Sequence, residues 1–447
     1  MDMKMALEAI RSEMKPSMGC TEPVAIGLAV SRACALLEKP ATHLDMVISS
    51  NIFKNAYSVQ IPNAGTNGIE LSCVLGCLLA DPDNTMEIFA KVKPEHVEKG
   101  QKLVEEGFVT VKVLKSSQFY IECVATNETE RAHTITEDAH DNLVYSEKDG
   151  KVLLDNRKEE IVEEETHDGF DITQYTFADF FKMANEVDMK DLAFIQEGID
   201  MNLDIAKKGL EKKYAIGIGP CMQKMVLNGT LSNDMVTDVK LTTAAACDFR
   251  MSGGNGSVMT YLGSGNQGLE TMLPAAVAAK HLQASPEKLL RAELLGMLII
   301  MYMKKHVGRL SPICGATLAG SGSAAAITYM MGGNLEQISG AVQNMMGGVA
   351  GMFCDGAKGG CALKLSICAG EAVYAALYAM DNSIVQATDG IISTAVEDTT
   401  KNLMKLSHEG LTDVDMKVIE IMQNKNCLLY TSPSPRDRTR SRMPSSA

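Results

Sequence analysis

The first residues, MDMKMALEAIRSEM, set apolar side chains at helical spacing with charges between them, which predicts a helix over 3–14 ending before Pro16. Ser17-Met18-Gly19 reads as a turn that delivers Cys20, and a second helix is expected from Val24 to Leu37. The pattern then changes. MVIS, TVKV, FYIECVA, RAHTITE, NLVY and KVLL are short β-rich runs separated by Asn, Asp, Gly and Lys turns. Beyond the acidic stretch 159–168 the helical period returns and, apart from glycine loops, continues to residue 426. The expected fold class is therefore α+β. A mostly helical body (1–38 and 172–426) is interrupted near the N-terminus by a smaller α/β insertion (40–168).

From Cys427 the apolar period stops and the composition changes abruptly to CLLYTSPSPRDRTRSRMPSSA. Its first eleven residues are what a transposase sequencing adapter yields on translation, so 427–447 reads as a translated artefact, disordered and set apart from the fold. Those residues hold four Arg and one Asp, so the remaining body is more acidic than the formal −14 of the whole chain. A chain this acidic, with no basic stripe in its body, lacks the positive field that nucleic acid requires and points to a small substrate. The longest apolar run, Leu294 to Met303, is too short to cross a bilayer, and the charged first helix has neither a signal core nor a cleavage site. A cytoplasmic protein without a membrane span is expected. A homodimer is compatible with the sequence, which does not set the oligomeric state.

The chain has 12 cysteines, and nothing directs it to an oxidising compartment, so reduced thiols are the default. Cys34, Cys73, Cys77, Cys123, Cys247 and Cys368 lie among apolar neighbours and read as small core residues. Cys314, Cys354 and Cys361 differ, because each sits in a glycine-rich loop: SPICGAT, MFCDGAK and GGCALK. Such loops let backbone surround a compact ligand, although small residues also serve tight helix packing. Three thiolates suit an iron-sulfur cluster that keeps one iron open for catalysis. Zinc, which prefers close cysteine pairs or includes His, and plain buried or redox thiols stay open on spacing alone. The histidines form no pair at metal-binding spacing, and His43, His96, His133, His140 and His167 read as surface residues.

GCTEP at 19–23, IFKNAYSVQIPNAG at 52–65, GSGNQG at 263–268, SPICGA at 311–316 and CDGAKGGCALK at 354–364 together resemble the L-cysteine desulfidase family. That family is related to the alpha chain of iron-sulfur L-serine dehydratase, and the resemblance covers nearly all of 1–426. It implies a 4Fe-4S cluster on Cys314, Cys354 and Cys361, and a further functional thiol, Cys20, acting as base or exchangeable cluster ligand. The implied reaction is an α,β-elimination converting L-cysteine and water to sulfide, ammonia and pyruvate by an oxygen-sensitive lyase without pyridoxal phosphate. L-Serine dehydration is the nearest alternative, and a cluster carrier or redox sensor is an alternative of another class.

Elimination needs an oriented substrate, a base for the α-proton and stabilisation of the departing group. Cys20 is a base only as thiolate, and its place ahead of a helix start favours that form. Glu22 reads as a helix-capping carboxylate or a partner for the substrate ammonium. Asn266 and Gln267, set between glycines, are candidate donors to the substrate carboxylate, or ordinary turn residues. Lys358 is a candidate partner of the carboxylate or of Cys20. Lys54 and Asn55 are candidates to close the site from the insertion, with a solvated strand edge as the alternative.

Overall fold

The computed structural model describes residues 1–116, 118–157, 170–308 and 311–425. The acidic stretch 159–168, with His167, and the segment 427–447 lie outside the described residues. The fold is mixed α+β and mostly helical, with one substantial sheet near the N-terminus.

The six β-rich runs form one six-stranded sheet, in the spatial order Val109–Leu114, His43–Ser49, Tyr120–Thr126, Arg131–Glu137, Leu143–Lys148, Lys151–Asp155. Only the first pair is parallel. The other four pairings run antiparallel, and the last three of them are joined by short hairpins. Alternation along Tyr120–Thr126 buries Ile121, Cys123 and Ala125 on one face. Helices Thr21–Cys34 and Ile69–Leu79 cover that face, and Cys34 and Cys73 join Cys123 in its apolar core, as expected for small buried residues. Two segments outside 40–168 thus pack on this layer. One is the helix Thr21–Cys34; the other is Val414–Asn424, which lies against the short helix Ser50–Ala56.

Thr21–Cys34 starts three residues earlier than the pattern predicts. Pro23 does not block it, because in the first turn the missing N–H has no intrahelical partner to lose.

The helical body is built around Gly315–Met330, whose residues from Ala316 onward are all buried. It packs against Gly265–His281, Pro286–Val307, Leu335–Val349 and Cys361–Met380. Glycine, alanine and serine dominate this helix, so its neighbours approach closely: a Cβ on Gly296 would lie 2.7 Å from the Gly322 carbonyl oxygen. Among the described residues Cys361–Met380 is the one helix long and apolar enough to cross a membrane by length and composition, and 56% of the window that qualifies is buried within the fold.

One small pairing escapes the hydrophobic pattern. Pro16–Met18 pairs antiparallel with Ser257–Met259, a strand in a segment read as glycine loop and helix. This two-stranded ribbon ties the GCTEP turn to the loops of the helical body.

Candidate active site

Cys314 caps the N-terminus of the central helix Gly315–Met330. Its amide donates to the Met352 carbonyl at 2.8 Å, and the Cys354 amide donates to the Pro312 carbonyl at 2.6 Å. Ile313 and Phe353 form the β-bridge between them, so the two cysteines come from loops stitched together residue by residue. Cys361 opens the helix Cys361–Met380, its amide donating to the Lys358 carbonyl at 2.9 Å. All three thiols are partly exposed and free. Burial raises the pKa of Cys314 and next the proximity of Cys354 and Cys361 does; Cys361 is likewise raised by burial and then by Cys354. The three sulfurs are therefore electrostatic neighbours.

The loop between Cys354 and Cys361 has its own clamp. Asp355 pairs with Lys358 and Lys364, and although burial opposes its charge these two cations hold the carboxyl down at about 2. Lys358, expected to face substrate or Cys20, is thus spent on loop geometry. Lys364, missed in the sequence, also donates to the Phe353 carbonyl at 2.8 Å and lowers the Cys314 thiol, countering burial in part. Gly356 lies at φ +89°, and a Cβ there would stand 2.3 Å from the Lys54 carbonyl oxygen, so the loop sits directly on the residue 54 backbone.

That contact brings the helix Ser50–Ala56 into the site. Asn55 Oδ1 stands 4.0 Å from Cys354 Sγ, and its Nδ2 donates to Glu22 Oε1 at 3.1 Å. Glu22 Oε2 accepts from the Cys20 thiol and from Thr21 Oγ1, both at 3.0 Å. Cys20, the N-cap of Thr21–Cys34, is thereby linked to Cys354 through Glu22 and Asn55. Lys54 turns away. Its buried ammonium pairs with Asp415 on Val414–Asn424.

Charge at the GCTEP turn differs from the sequence expectation. Cys20 is 1% exposed, and burial first and then the neighbouring Glu22 carboxylate push its thiol well up, with Arg250 opposing. The helix N-terminus does not win, and at rest Cys20 is a neutral donor. Burial opposes ionisation of Glu22 too, but His140, the Cys20 thiol and Arg250 outweigh it and hold the carboxyl at about 2.

His140 is a correction to its reading as a surface residue. It is buried, lies edge-on to Phe119 at 4.8 Å, and holds Nε2 3.9 Å from Glu22 Oε1. A loop position gave no sign of this. Arg250 was also missed, although one arginine in the apolar helical run AAACDFRM was a visible signal. It is buried, and its guanidinium donates to Asn266 Oδ1 at 2.9 Å. Asn266 further faces the Cys247 thiol at 3.6 Å, which brings one more of the expected core cysteines to the site's edge. Gln267 is buried against the Cys314 loop: a Cβ on Gly315 would lie 3.2 Å from its Oε1, and its Nε2 has no partner.

Among the described residues no group of three or more His, Cys, Asp or Glu side chains is gathered to hold a metal ion. A single ion needs its sulfur donors about 2.3 Å from one point. A four-iron cluster takes each thiolate on a different iron, so its ligands stand further apart. Three free, partly exposed thiols on adjoining loops, two of them at helix N-termini, with the orphaned donor Gln267 Nε2 beside Cys314, fit such an anionic group by the chemistry of the donor set.

A family model for the serine dehydratase alpha chain matches residues 83–420. The chain belongs to the serine dehydratase alpha-chain family. The match includes the three cysteine loops, Asn266 and Gln267, and begins after Cys20, Glu22 and Asn55. The chain is 35% identical to the UPF0597 protein of Desulfatibacillum aliphaticivorans, over 92% of this chain and 96% of that one. It is 36% identical to the UPF0597 protein of Caldanaerobacter subterraneus subsp. tengcongensis, over 95% and 99%. A UPF0597 protein of Porphyromonas gingivalis is 34% identical over 94% and 98%. Membership of the serine dehydratase family makes a lyase-type enzyme the coarse reading of the whole chain.

Proposed function

We propose that this member of the serine dehydratase family is an L-cysteine desulfidase, eliminating sulfide from L-cysteine to leave ammonia and pyruvate. The observation that carries the reading is the chain Cys20–Glu22–Asn55–Cys354, which connects a buried thiol and a fixed carboxylate to the loops of Cys314 and Cys361. Those three cysteines would hold a 4Fe-4S cluster, which when bound supplies an open Lewis-acidic iron to the departing sulfur.

Glu22, ionised and buried, is suited to a substrate ammonium. An ammonium there cancels the charge that helps to raise the Cys20 thiol, so substrate arrival itself eases formation of the thiolate that takes the α-proton. Asn55 keeps Glu22 oriented through Oε1 while Cys20 and Thr21 hold Oε2. Released aminoacrylate tautomerises to an imine and hydrolyses without further help from the chain.

The family description favours a second reading, L-serine dehydration, which uses the same groups on a hydroxyl leaving group. Anaerobically reconstituted protein assayed for pyruvate with both amino acids separates the two. A higher kcat/KM for L-cysteine, with one sulfide per pyruvate, is expected; a strong preference for L-serine replaces the proposal with the dehydratase.

A further inference from the structure

Arg250 ends the helix Met235–Met251 and is only 3% exposed. A guanidinium keeps its charge in protein, so burying one is costly unless an anion meets it. Among the described residues none does: Arg250 forms no ion pair within 4.0 Å, its one side-chain bond is to the neutral Asn266, and its Nε is left without a partner. Yet the fold makes room for it. A Cβ on Gly265 would stand 2.3 Å from Arg250 Nε, so the glycine of GSGNQG admits the guanidinium. Gln267, two residues on, presents a second orphaned donor, Nε2.

Across the site Glu22 has the opposite sign and, among the described residues, likewise no Lys or Arg within 4.0 Å. The His140 imidazole stands 3.9 Å away, and the hydrogen-bond partners of Glu22 are Cys20, Thr21 and Asn55. Arg250 and Glu22 feel each other's charge and also share Cys20 as an electrostatic neighbour, but they are not in contact. A fixed cation and a fixed anion held apart around one buried thiol carry the charges of the two ends of an α-amino acid.

We propose that Arg250 and Glu22 form a recognition site for an α-amino-acid zwitterion, in which Arg250 takes the carboxylate and Glu22 the ammonium. Asn266, a candidate donor to the carboxylate, holds Arg250 through its oxygen. This rests on the amino-acid lyase reading and specifies how its substrate is held.

The test is calorimetric binding of two probes without a leaving group, L-alanine and L-alaninamide, to the full chain with and without its iron. Wild type should bind L-alanine at least ~10-fold more tightly than the amide, as expected for a charge-assisted bond to a carboxylate. Arg250→Gln should lose that preference by weakening L-alanine alone, and Arg250→Lys, which keeps the charge but not the fork, should lie between. If Arg250→Gln does not fold, the intermediate behaviour of Arg250→Lys carries the test. Retained preference for L-alanine in the variants, or a changed iron content with unchanged preference, overturns the proposal and makes the cysteine thiolates the counter-anion of Arg250. Pyruvate formation by wild type is scored separately. Turnover without carboxylate preference sinks the Arg250 assignment alone, whereas carboxylate preference without turnover sinks the lyase reading and leaves the binding site.

Discussion

The ion pair between Lys54 and Asp415 separates two roles for a lysine that the sequence made a substrate contact. Lys54 is 0% exposed, and the Asp415 side chain is 13% exposed. Removing one member of such a pair strands a buried charge and costs about 3–5 kcal/mol. Asp415→Asn keeps the volume and one acceptor oxygen, so its effect belongs at the lower end, about 3 kcal/mol. Replacing both by apolar residues, Lys54→Met with Asp415→Leu, removes both desolvation penalties and should regain most of that loss. Urea unfolding followed by circular dichroism measures each variant, the midpoint and slope giving the free energy. Hydrogen exchange should quicken first in Val414–Asn424, the helix that the pair ties to Ser50–Ala56. Kinetics supply the second arm: with Lys54 an anchor, the double variant keeps the wild-type KM for L-cysteine. A single variant within 0.5 kcal/mol of wild type, as ordinary surface changes are, would refute the energetic argument. A tenfold rise in KM in a stable double variant would return Lys54 to the substrate.

Cys354→Ser should bleach the visible absorption of reconstituted protein and reduce its bound iron, whereas Cys20→Ser should keep most of the colour and lose turnover; equal bleaching would make Cys20 a permanent ligand. Gly356→Ala meets a positive φ and a carbonyl 2.3 Å from the new Cβ, so a loss of ~2 kcal/mol or more in urea unfolding is expected. Glu22 has its carboxyl lowered to about 2 from 4.5, so the stability it contributes is present above pH 4.5 and is lost as pH falls through 2. The shift corresponds to roughly 3 kcal/mol. The gap in stability between wild type and Glu22→Gln should therefore narrow as pH is lowered across that window, and a gap that does not change with pH would contradict it.

Periodicity carried the layers of the fold because each layer has one buried face. The six β-runs all became strands, and the first helix ends where Pro16 required. What periodicity cannot carry is which helix covers which layer. Thr21–Cys34 is apolar almost all round, with every residue but Arg32 buried, so its pattern names no single neighbour. The short strand Ser257–Met259 was illegible for a related reason: three residues are too few to show a period of two, and its partner lies some 240 positions away in the chain.

The site divides along the same line. Thiols in glycine loops announce themselves, since few structural roles put three cysteines within two residues of a glycine in loops this short, and the three loops do adjoin. Charged groups announce only that they need a partner, and the sequence does not say which. Lys54 and Lys358 each carry charge suited to a substrate carboxylate, yet Asp415 and Asp355 claim them. Arg250 and His140 looked like background, one inside an apolar helix and the other in a hairpin loop; the fold buries both, His140 beside Glu22 and Arg250 on Asn266. The residues left with unspent charge are therefore a better guide to substrate than the residues whose type suggested it. By that criterion the carboxylate end of the site belongs to Arg250, and the lysines belong to the scaffold.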